Sequence, residues 1–243
     1  MCYNIQVLEK RAEKMAKRYE AHFPQGDLFT TIYHASAFQH PRWPVVFQKE
    51  ERVIQFYNWG LIPSWTKSRE DADKISLMTA NCIGETAFQK PSFRQAISKN
   101  RCLIPITGFF EWHTLGNKKY PFYIYLKSKE LFSLAGIYDH WTDRETGEII
   151  GTFSILTTAA NPLLAKIHNL KKRMPLILPV ENEKDWINPA LSREEVNALM
   201  KPFDESLLDA YSITKRITSR TENNNAPEVM EAFVYPELAA VGL

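Results

Sequence analysis

Apolar residues recur along the chain with two different periods, and each period predicts a different kind of element. Near the amino terminus, Leu8, Ala12, Met15 and Tyr19 follow four-three-four spacing with charges between them, which predicts an amphipathic helix over about residues 8–22. Segments rich in Ile, Val, Phe and Tyr predict strands. These segments lie at about residues 44–48, 52–58, 101–107, 120–127, 131–137 and 149–157.

Short helices are predicted between and after the strands, at residues 91–98, 161–168 and 192–200. The second has a clear start, since Asn161 can cap a helix and Pro162 suits its first position. Strands outnumber helices, and many follow one another without a helical crossover, which predicts an α+β fold with a mainly antiparallel sheet. Because there is no internal repeat or long linker, we expect residues 1–243 to form one domain. Three asparagines within 222–227 predict an exposed loop.

The charge of the chain limits how it could bind nucleic acid. Thirty Lys and Arg residues against 28 Asp and Glu leave a net charge of +2, which is too small for binding over the whole surface. Any such contact would need a local groove. No apolar run approaches the roughly 20 residues that span a bilayer, and no secretory signal begins the chain, so we expect a cytoplasmic protein with no membrane partner.

Cysteine and histidine spacing indicates neither disulfides nor a metal site. Cys2, Cys82 and Cys102 form no CxxC pair and no even set, which is typical of a reducing compartment. The six histidines show no metal-ligand spacing. We therefore expect no metal and no cofactor.

Cys2 carries the most distinctive chemistry. A small second residue permits removal of Met1, which would leave Cys2 with a free α-amine and a thiol on adjacent carbons. These groups titrate at about pH 8 and 8.5, so a usable fraction of each is nucleophilic near neutrality. The amine of such a 1,2-aminothiol condenses with an aldehyde to an imine, and the thiol then closes a five-membered thiazolidine. The simpler alternative is that a cysteine at this position is incidental.

Two further residues could move protons. Glu111 follows the apolar run 102–106, so it is expected at a strand's end between aromatic neighbours, where desolvation would raise the pKa of its carboxyl group. The alternative is a surface glutamate packed on Trp112. His168 ends the second predicted helix and could shuttle protons near pH 7, or it could be a hydrogen-bonded structural histidine.

A possible nucleic-acid surface combines aromatic and basic residues. Trp59 and Trp65 flank a loop with Gly and Pro, and an exposed tryptophan can stack on an unpaired base. Candidate phosphate ligands are Arg94, Lys99, Arg101, Lys171, Lys172 and Arg173. Alternatively, the tryptophans fill the core and the charges form a solvated face.

The order of these motifs resembles that of the SRAP family, the SOS-response-associated peptidase domain. After Met1-Cys2 come WGLIPSW at 59–65, Asn81 with Glu85-Thr86, KPSFR at 90–94, RCLIP at 101–105, GFFEW at 108–112, AGI at 135–137, TFSILTTAAN at 152–161, IH at 167–168 and RMPLIL at 173–178. The resemblance runs from residue 2 to about residue 236, nearly the whole chain.

The resemblance implies a compact α+β fold with a barrel-like β core, peripheral short helices and a positively charged groove that senses abasic sites in single-stranded DNA. In the family, the processed amino-terminal cysteine forms a thiazolidine with the ring-opened deoxyribose, and Cys2 takes that role here. Glu111 matches the glutamate that assists ring opening, and His168 matches an acid or base near the sugar. Asn81 matches the asparagine that hydrogen-bonds the lesion. The implied DNA contacts are Trp65, Arg94, Lys171, Lys172, Arg173 and Phe38.

Several positions depart from the family pattern. The family usually begins Met-Cys-Gly-Arg, whereas Tyr3 and Asn4 follow Cys2 here, and its Asn-Ala-Arg run reads Asn81-Cys82-Ile83. Losing two arginines should weaken DNA affinity and flatten its salt dependence, unless Arg42 or Arg216 compensates. Phe38 stands where the family often has a proline beside the DNA junction. Three extra residues separate His168 from Arg-Met-Pro.

These observations leave three hypotheses for function. The first is a self-modifying enzyme that crosslinks itself to abasic sites and associates with the nucleoid when bound to DNA. The second is an amino-terminal-nucleophile peptidase, in which Cys2 attacks an acyl group while Glu111 and His168 move protons. With only Met1 ahead of Cys2 we expect no long leader, which disfavours this option. The third is a non-covalent single-strand binding module built on Trp65 and the basic loop. A monomer would suffice for each.

Overall fold

The computed structural model describes residues 2–48 and 51–239, and these residues form an α+β fold rich in strands. The strands are β1 (Asn4–Val7), β2 (Ile32–Ser36), β3 (Arg42–Gln48), β4 (Arg52–Trp59), β5 (Asn81–Ile83), β6 (Arg101–Ile106), β7 (Gly108–Leu115), β8 (Lys118–Leu126), β9 (Phe132–Thr142), β10 (Ile149–Ala159), β11 (Arg173–Pro175), β12 (Ile177–Leu178) and β13 (Leu208–Ser212).

The α-helices are short and lie between or after the strands. They are α1 (Ala12–Tyr19), α2 (Arg69–Met78), α3 (Arg94–Lys99), α4 (Pro162–Ile167), α5 (Val180–Trp186), α6 (Arg193–Leu199) and α7 (Pro236–Ala239). In the part of the chain that the structure describes, none of them is long and apolar enough to cross a membrane.

Five strands close into a ring at the centre of the fold. β4 pairs antiparallel with β3, β3 with β6, β6 with β9, and β9 with β10. The ring closes where β10 pairs with β4, and this last pairing is parallel, with Phe153 opposite Trp59. β5 continues the sheet by pairing in parallel with β10. The barrel-like core that the family resemblance implies is thereby confirmed.

A second sheet positions the amino terminus. Its strand order is β13-β8-β7-β1-β2, and all of its pairings are antiparallel. Ile5 of β1 lies opposite Phe109 of β7. Because the two strands run in opposite directions, the residues that precede β1 lie beside the residues that follow Phe109. This register brings the beginning of the chain alongside Glu111.

Buried tryptophans connect the barrel to its surroundings. The indole N–H of Trp43 donates to Pro105 O (2.9 Å), that of Trp59 to Ala80 O (2.8 Å), and that of Trp186 to Cys102 O (3.0 Å). All three side chains are fully buried. Each ring therefore removes a large apolar area from water without leaving its polar atom unpaired.

The six predicted strands and three predicted later helices are all confirmed, with shifted ends. The amino-terminal helix is shorter than predicted because Glu20 adopts a left-handed conformation (φ 49°) that ends it. α4 begins as predicted, since the side chain of Asn161 accepts from the N–H of Leu164 at 2.9 Å. Residues 222–226 form the predicted loop.

One expectation about the strands is wrong. Glu111 does not lie at a strand's end but near the middle of β7, opposite Phe122 of β8. The strand continues because residues 112–115 pair with residues 118–121 across a tight hairpin. Glu111 is consequently enclosed by the sheet rather than placed at its edge.

Candidate active site

A cleft of about 680 Å³ lies where the amino terminus meets β7 and the segment after α4. Its lining comes from residues 3–4, 34–39, 111–119, 168–171 and 217–224. Among the predicted site residues, Glu111, His168, Phe38 and Lys171 contribute to this lining. A groove of similar volume, about 630 Å³, lies beside α5 and α6 and is lined by none of the predicted residues.

Cys2 is buried immediately before β1, next to this cleft. Its thiol lies 3.9 Å from Asn4 O, and Tyr3, the next residue, is part of the lining. Burial raises the pKa of the Cys2 thiol, and the nearby charge of Glu111 raises it further. The predicted loss of Met1 concerns a residue outside the described part of the chain.

Glu111 is 4% exposed, so the alternative of a surface glutamate is wrong. Burial raises the pKa of its carboxyl group from 4.5 to about 8, because a carboxylate loses its hydration inside a protein. The sequence-based expectation of a pKa shifted toward neutrality is thus confirmed. At pH 7 most of the Glu111 carboxyl groups hold a proton and can donate it.

His168 caps the end of α4, close to Glu111. Its Nδ1 lies 2.9 Å from the carbonyl oxygen of Arg173 and 3.8 Å from Oε1 of Glu111. A carbonyl oxygen can only accept, so this geometry assigns the ring proton to Nδ1. Burial lowers the pKa of His168. The imidazole is therefore neutral near pH 7, with its basic lone pair on Nε2.

The three extra residues after His168 are held in a closed turn. The N–H of Lys172 donates to His168 O at 2.8 Å, and Lys172 itself has a positive φ of 48°. The side-chain amide of Asn169 donates to Thr114 O (2.8 Å) and accepts from the Thr114 N–H (3.0 Å). These bonds anchor the turn to β7, the strand that carries Glu111, and fix His168 beside it.

Asn81 begins β5 and pairs across the sheet with Ile155. Its side chain is 7% exposed, and neither its oxygen nor its nitrogen has a hydrogen-bond partner among the described residues. An unsatisfied buried amide costs about 1–3 kcal/mol. Asn81 is not among the residues that line the cleft.

The predicted DNA contacts occupy different positions. Phe38 and Lys171 are exposed and line the cleft, whereas Trp65, Arg94 and Lys172 are exposed but lie outside that lining. The two tryptophans of the loop motif differ, since Trp59 is core and Trp65 is half exposed.

Arg173, the remaining predicted DNA contact, is already engaged by the protein. Its guanidinium binds both carboxylate oxygens of Glu85, at 2.6 and 2.8 Å, and donates to Thr157 O at 2.6 Å. A phosphate contact would require this ion pair to open. Of the two arginines considered as replacements, Arg216 pairs with Glu222 at 3.0 Å and Arg42 lies over the Phe56 ring.

Sequence reasoning missed several lining residues, including His34, Lys119 and the segment 217–224. Lys119 faces the cleft because β8 pairs with β7 in a register that sets it opposite Thr114. No motif signals this register in advance. The side-chain oxygen of Asn4, which stands where the family resemblance leads us to expect arginine, accepts a hydrogen bond from His34 Nε2 at 2.8 Å.

The charge balance of the cleft favours an anionic ligand. Lys119 and Lys171 are the cationic side chains among the described lining residues, and Glu111 is the one carboxyl group there. Since that carboxyl group is mostly protonated at pH 7, the lining carries positive charge with little to oppose it. Such a surface suits a phosphate backbone.

Comparisons with known proteins identify the family of this chain. Residues 1–220 match the family model described as SOS response associated peptidase (SRAP). The chain is 40% identical over 176 residues to the abasic site processing protein YoqW of Bacillus subtilis, covering 72% of this chain and 74% of that protein. It is 31% identical to the abasic site processing protein YMR114C of Saccharomyces cerevisiae, covering 80% of this chain and 51% of that protein.

A solved structure extends the similarity to the fold. The crystal structure of a protein from Bacteroides thetaiotaomicron superimposes with a TM-score of 0.90 at 42% identity, covering 96% of this chain and 100% of that one. With the family model matching most of the sequence, the chain belongs to the SOS response associated peptidase (SRAP) family.

Proposed function

We propose that the protein captures abasic sites in single-stranded DNA by forming a covalent thiazolidine through Cys2. The observation that carries this proposal is the placement of Cys2 beside a buried, protonated Glu111 at a cleft whose lining is cationic. The names of the bacterial and yeast relatives, which describe abasic site processing, support the choice of substrate.

The proposed reaction needs no cofactor and no oxidant. Removal of Met1 frees the α-amine of Cys2, which attacks the C1′ aldehyde of the ring-opened deoxyribose. The resulting carbinolamine loses water to give an imine. The Cys2 sulfur then bonds to the imine carbon, and its proton passes to the nitrogen. In sum, one aldehyde and one aminothiol yield one thiazolidine and one water.

Glu111 and His168 have complementary roles in this sequence. Because the Glu111 carboxyl group holds its proton at pH 7, it acts as the acid that opens the sugar hemiacetal and assists the loss of water. His168 is neutral, so its Nε2 can accept a proton as the thiol adds. The raised pKa of the Cys2 thiol makes such a base useful, since a thiolate is the stronger nucleophile.

Asn81 and the basic residues would hold the DNA. The unpartnered amide of Asn81 is suited to hydrogen-bond the lesion's hydroxyl groups and thereby recover its desolvation cost. Lys171 would contact a phosphate inside the cleft, while Arg94, Lys172 and Trp65 would engage the strand beyond it. Arg173 would join them only after its bond to Glu85 opens. All of these residues belong to one chain, so one protomer is sufficient.

A single gel assay tests the proposal against its alternatives. The purified protein is incubated with single-stranded DNA that carries one abasic site and is then run under denaturing conditions. We expect a shifted band that persists, requires Cys2 and is absent with intact DNA. Cys2→Ala should abolish it. Peptide hydrolysis without the band would favour the peptidase, and retention only on a native gel would favour the non-covalent module.

The state of the amino terminus is the necessary control for this assay. The intact mass of the protein should correspond to a chain that has lost Met1, because only then is the α-amine of Cys2 free. A preparation that retains Met1 should give no band. If such a preparation crosslinks as well as the mature one, the α-amine takes no part and the proposed chemistry is wrong.

A further inference from the structure

Two aromatic rings stack on each other beside the proposed nucleophile. The ring of Tyr3 lies 5.0 Å from that of Phe38, with an interplanar angle of 21°, and both residues line the cleft. Phe38 belongs to a short 3-10 turn, Ala37–Gln39. The N–H of Ala37 donates to Tyr3 O at 2.9 Å, which ties this turn to the residue next to Cys2.

The stack leaves much of Phe38 uncovered. Phe38 is 65% exposed although Tyr3 packs against one of its faces. Exposure alone does not mark a site, since Phe233 is 47% exposed and packs on Tyr235 at 4.6 Å outside the cleft. What distinguishes Phe38 is its position, because Phe38 and its partner Tyr3 both line the cleft, and Tyr3 is the residue next to Cys2.

We propose that the Tyr3–Phe38 stack receives the unpaired base that flanks the abasic site. This inference rests on the proposed function and adds a specificity-determining contact to it. An abasic position lacks its own base, so the flanking base has one face uncovered. The exposed ring of Phe38 can cover that face, and such stacking tolerates any base because every base has a π surface.

The charges in the cleft make this contact important for affinity. The cationic side chains of the described lining are those of Lys119 and Lys171. Asn4 and Ile83 stand where the family resemblance leads us to expect arginine. A cleft with few phosphate ligands must obtain more of its binding free energy from contacts that salt does not screen. Base stacking is such a contact.

Non-covalent affinity for a tetrahydrofuran abasic analogue tests the proposal, because this analogue has no aldehyde and cannot crosslink. We expect Phe38→Leu, which keeps an apolar side chain but loses the π face, to weaken binding at least about fivefold. Phe38→Trp should restore it. Phe233→Leu, the matched control on the exposed pair outside the cleft, should bind like the parent.

The flanking base and the Tyr3 ring provide the second arm. When the bases on both sides of the analogue are replaced by non-aromatic spacers, Phe38→Leu and the parent should bind equally. Tyr3→Phe should match the parent on the normal strand, because the ring remains, whereas Tyr3→Leu should weaken binding. The inference fails if Phe38→Leu binds within twofold of the parent, or if its defect persists on the spacer strand.

A parallel crosslinking assay separates this inference from the proposed function. If the parent crosslinks an aldehyde-bearing strand but Phe38→Leu shows no binding defect on the analogue, only the stacking contact is wrong. If the parent does not crosslink at all, the proposed function is wrong, and the stacking contact that rests on it is withdrawn with it.

Discussion

Nδ1 of His168 lies 3.8 Å from Oε1 of Glu111, and the same nitrogen donates a hydrogen bond to the carbonyl oxygen of Arg173 at 2.9 Å. Burial pushes the pKa values of the two residues in opposite directions, that of Glu111 up to about 8 and that of His168 down. Both side chains are therefore mostly neutral at pH 7. An acid that holds its proton stands beside a neutral imidazole whose Nε2 can accept one, which is the protonation state that hemiacetal opening and thiol addition require.

Glu111→Gln should slow the formation of the covalent adduct by about 10²-fold or more, because the amide cannot donate a catalytic proton in the way a carboxylic acid does. The parent rate should fall as the pH rises through about 8, where Glu111 loses its proton. That decline should be absent in the variant. Single-turnover crosslinking between pH 6 and 9.5 measures both effects. An unchanged rate would remove Glu111 from the mechanism.

The same substitution should stabilise the fold at alkaline pH. In the unfolded chain the Glu111 carboxyl group ionises near pH 4.3, but in the fold it does so near 8. Between these values the unfolded state has lost a proton that the folded state keeps, so the free energy of unfolding falls as the pH rises. At pH 8.5, Glu111→Gln should gain at least about 1 kcal/mol, or about 2–4 °C in melting temperature.

Thermal unfolding at two pH values checks this sign. Near pH 4 the parent carboxyl group is protonated in both states, so the parent and Glu111→Gln should unfold at similar temperatures. The gain should appear only as the pH increases. At each pH the stability of Glu111→Gln is compared with that of the parent. If this difference is less favourable to the variant at pH 8.5 than at pH 4, the assignment of a buried, proton-holding Glu111 is contradicted.

Asn81→Leu should separate stability from activity. Because no described residue satisfies the buried amide of Asn81, an apolar side chain of similar size should raise the free energy of unfolding by about 1 kcal/mol. Crosslinking should nevertheless slow, since the lesion loses its hydrogen-bond partner. Denaturant unfolding and single-turnover kinetics would be measured together. A less stable variant with normal kinetics would make Asn81 a structural residue.

Salt dependence should identify the cations that contact phosphate. Each phosphate contact on a single strand contributes a slope of about −0.7 in log affinity against log salt. Lys119→Gln and Lys171→Gln, which alter cleft residues, should each make the slope shallower by about this amount. Lys118→Gln is the matched control, because neighbouring Lys118 lies outside the cleft lining and pairs with Glu237. Equal effects at Lys118 and Lys119 would argue against a DNA path through the cleft.

Local signals predicted much of the fold because they act over a few residues. The Asn161-Pro162 pair specifies the start of α4, because the side chain of Asn161 caps the helix and the ring of Pro162 suits its first position. β1 and β5 were not predicted, since each has only three or four residues and too few side chains to show a period. α2 is polar on most of its surface, so its apolar spacing is weak.

The site was less predictable because it depends on register between distant segments. Aromatic neighbours correctly indicated a raised pKa for Glu111, but only the β1–β7 pairing shows that Tyr3 and Cys2 lie beside it. The sequence also could not distinguish Trp59 from Trp65, since one is buried by tertiary packing and the other is not. Likewise, Glu85 and Arg173 are 88 residues apart, so no local sequence pattern indicates their ion pair.

Counting free thiols in the covalent adduct tests the central claim most directly. The chain has three cysteines, all in the free thiol state in the described structure. After denaturation and alkylation, the free protein should carry three alkyl groups by intact mass. The adduct should carry two, because a thiazolidine uses both the amine and the thiol of Cys2, and its mass before alkylation should equal protein plus DNA strand minus one water. An adduct that takes up three alkyl groups would be an open imine and would contradict the account.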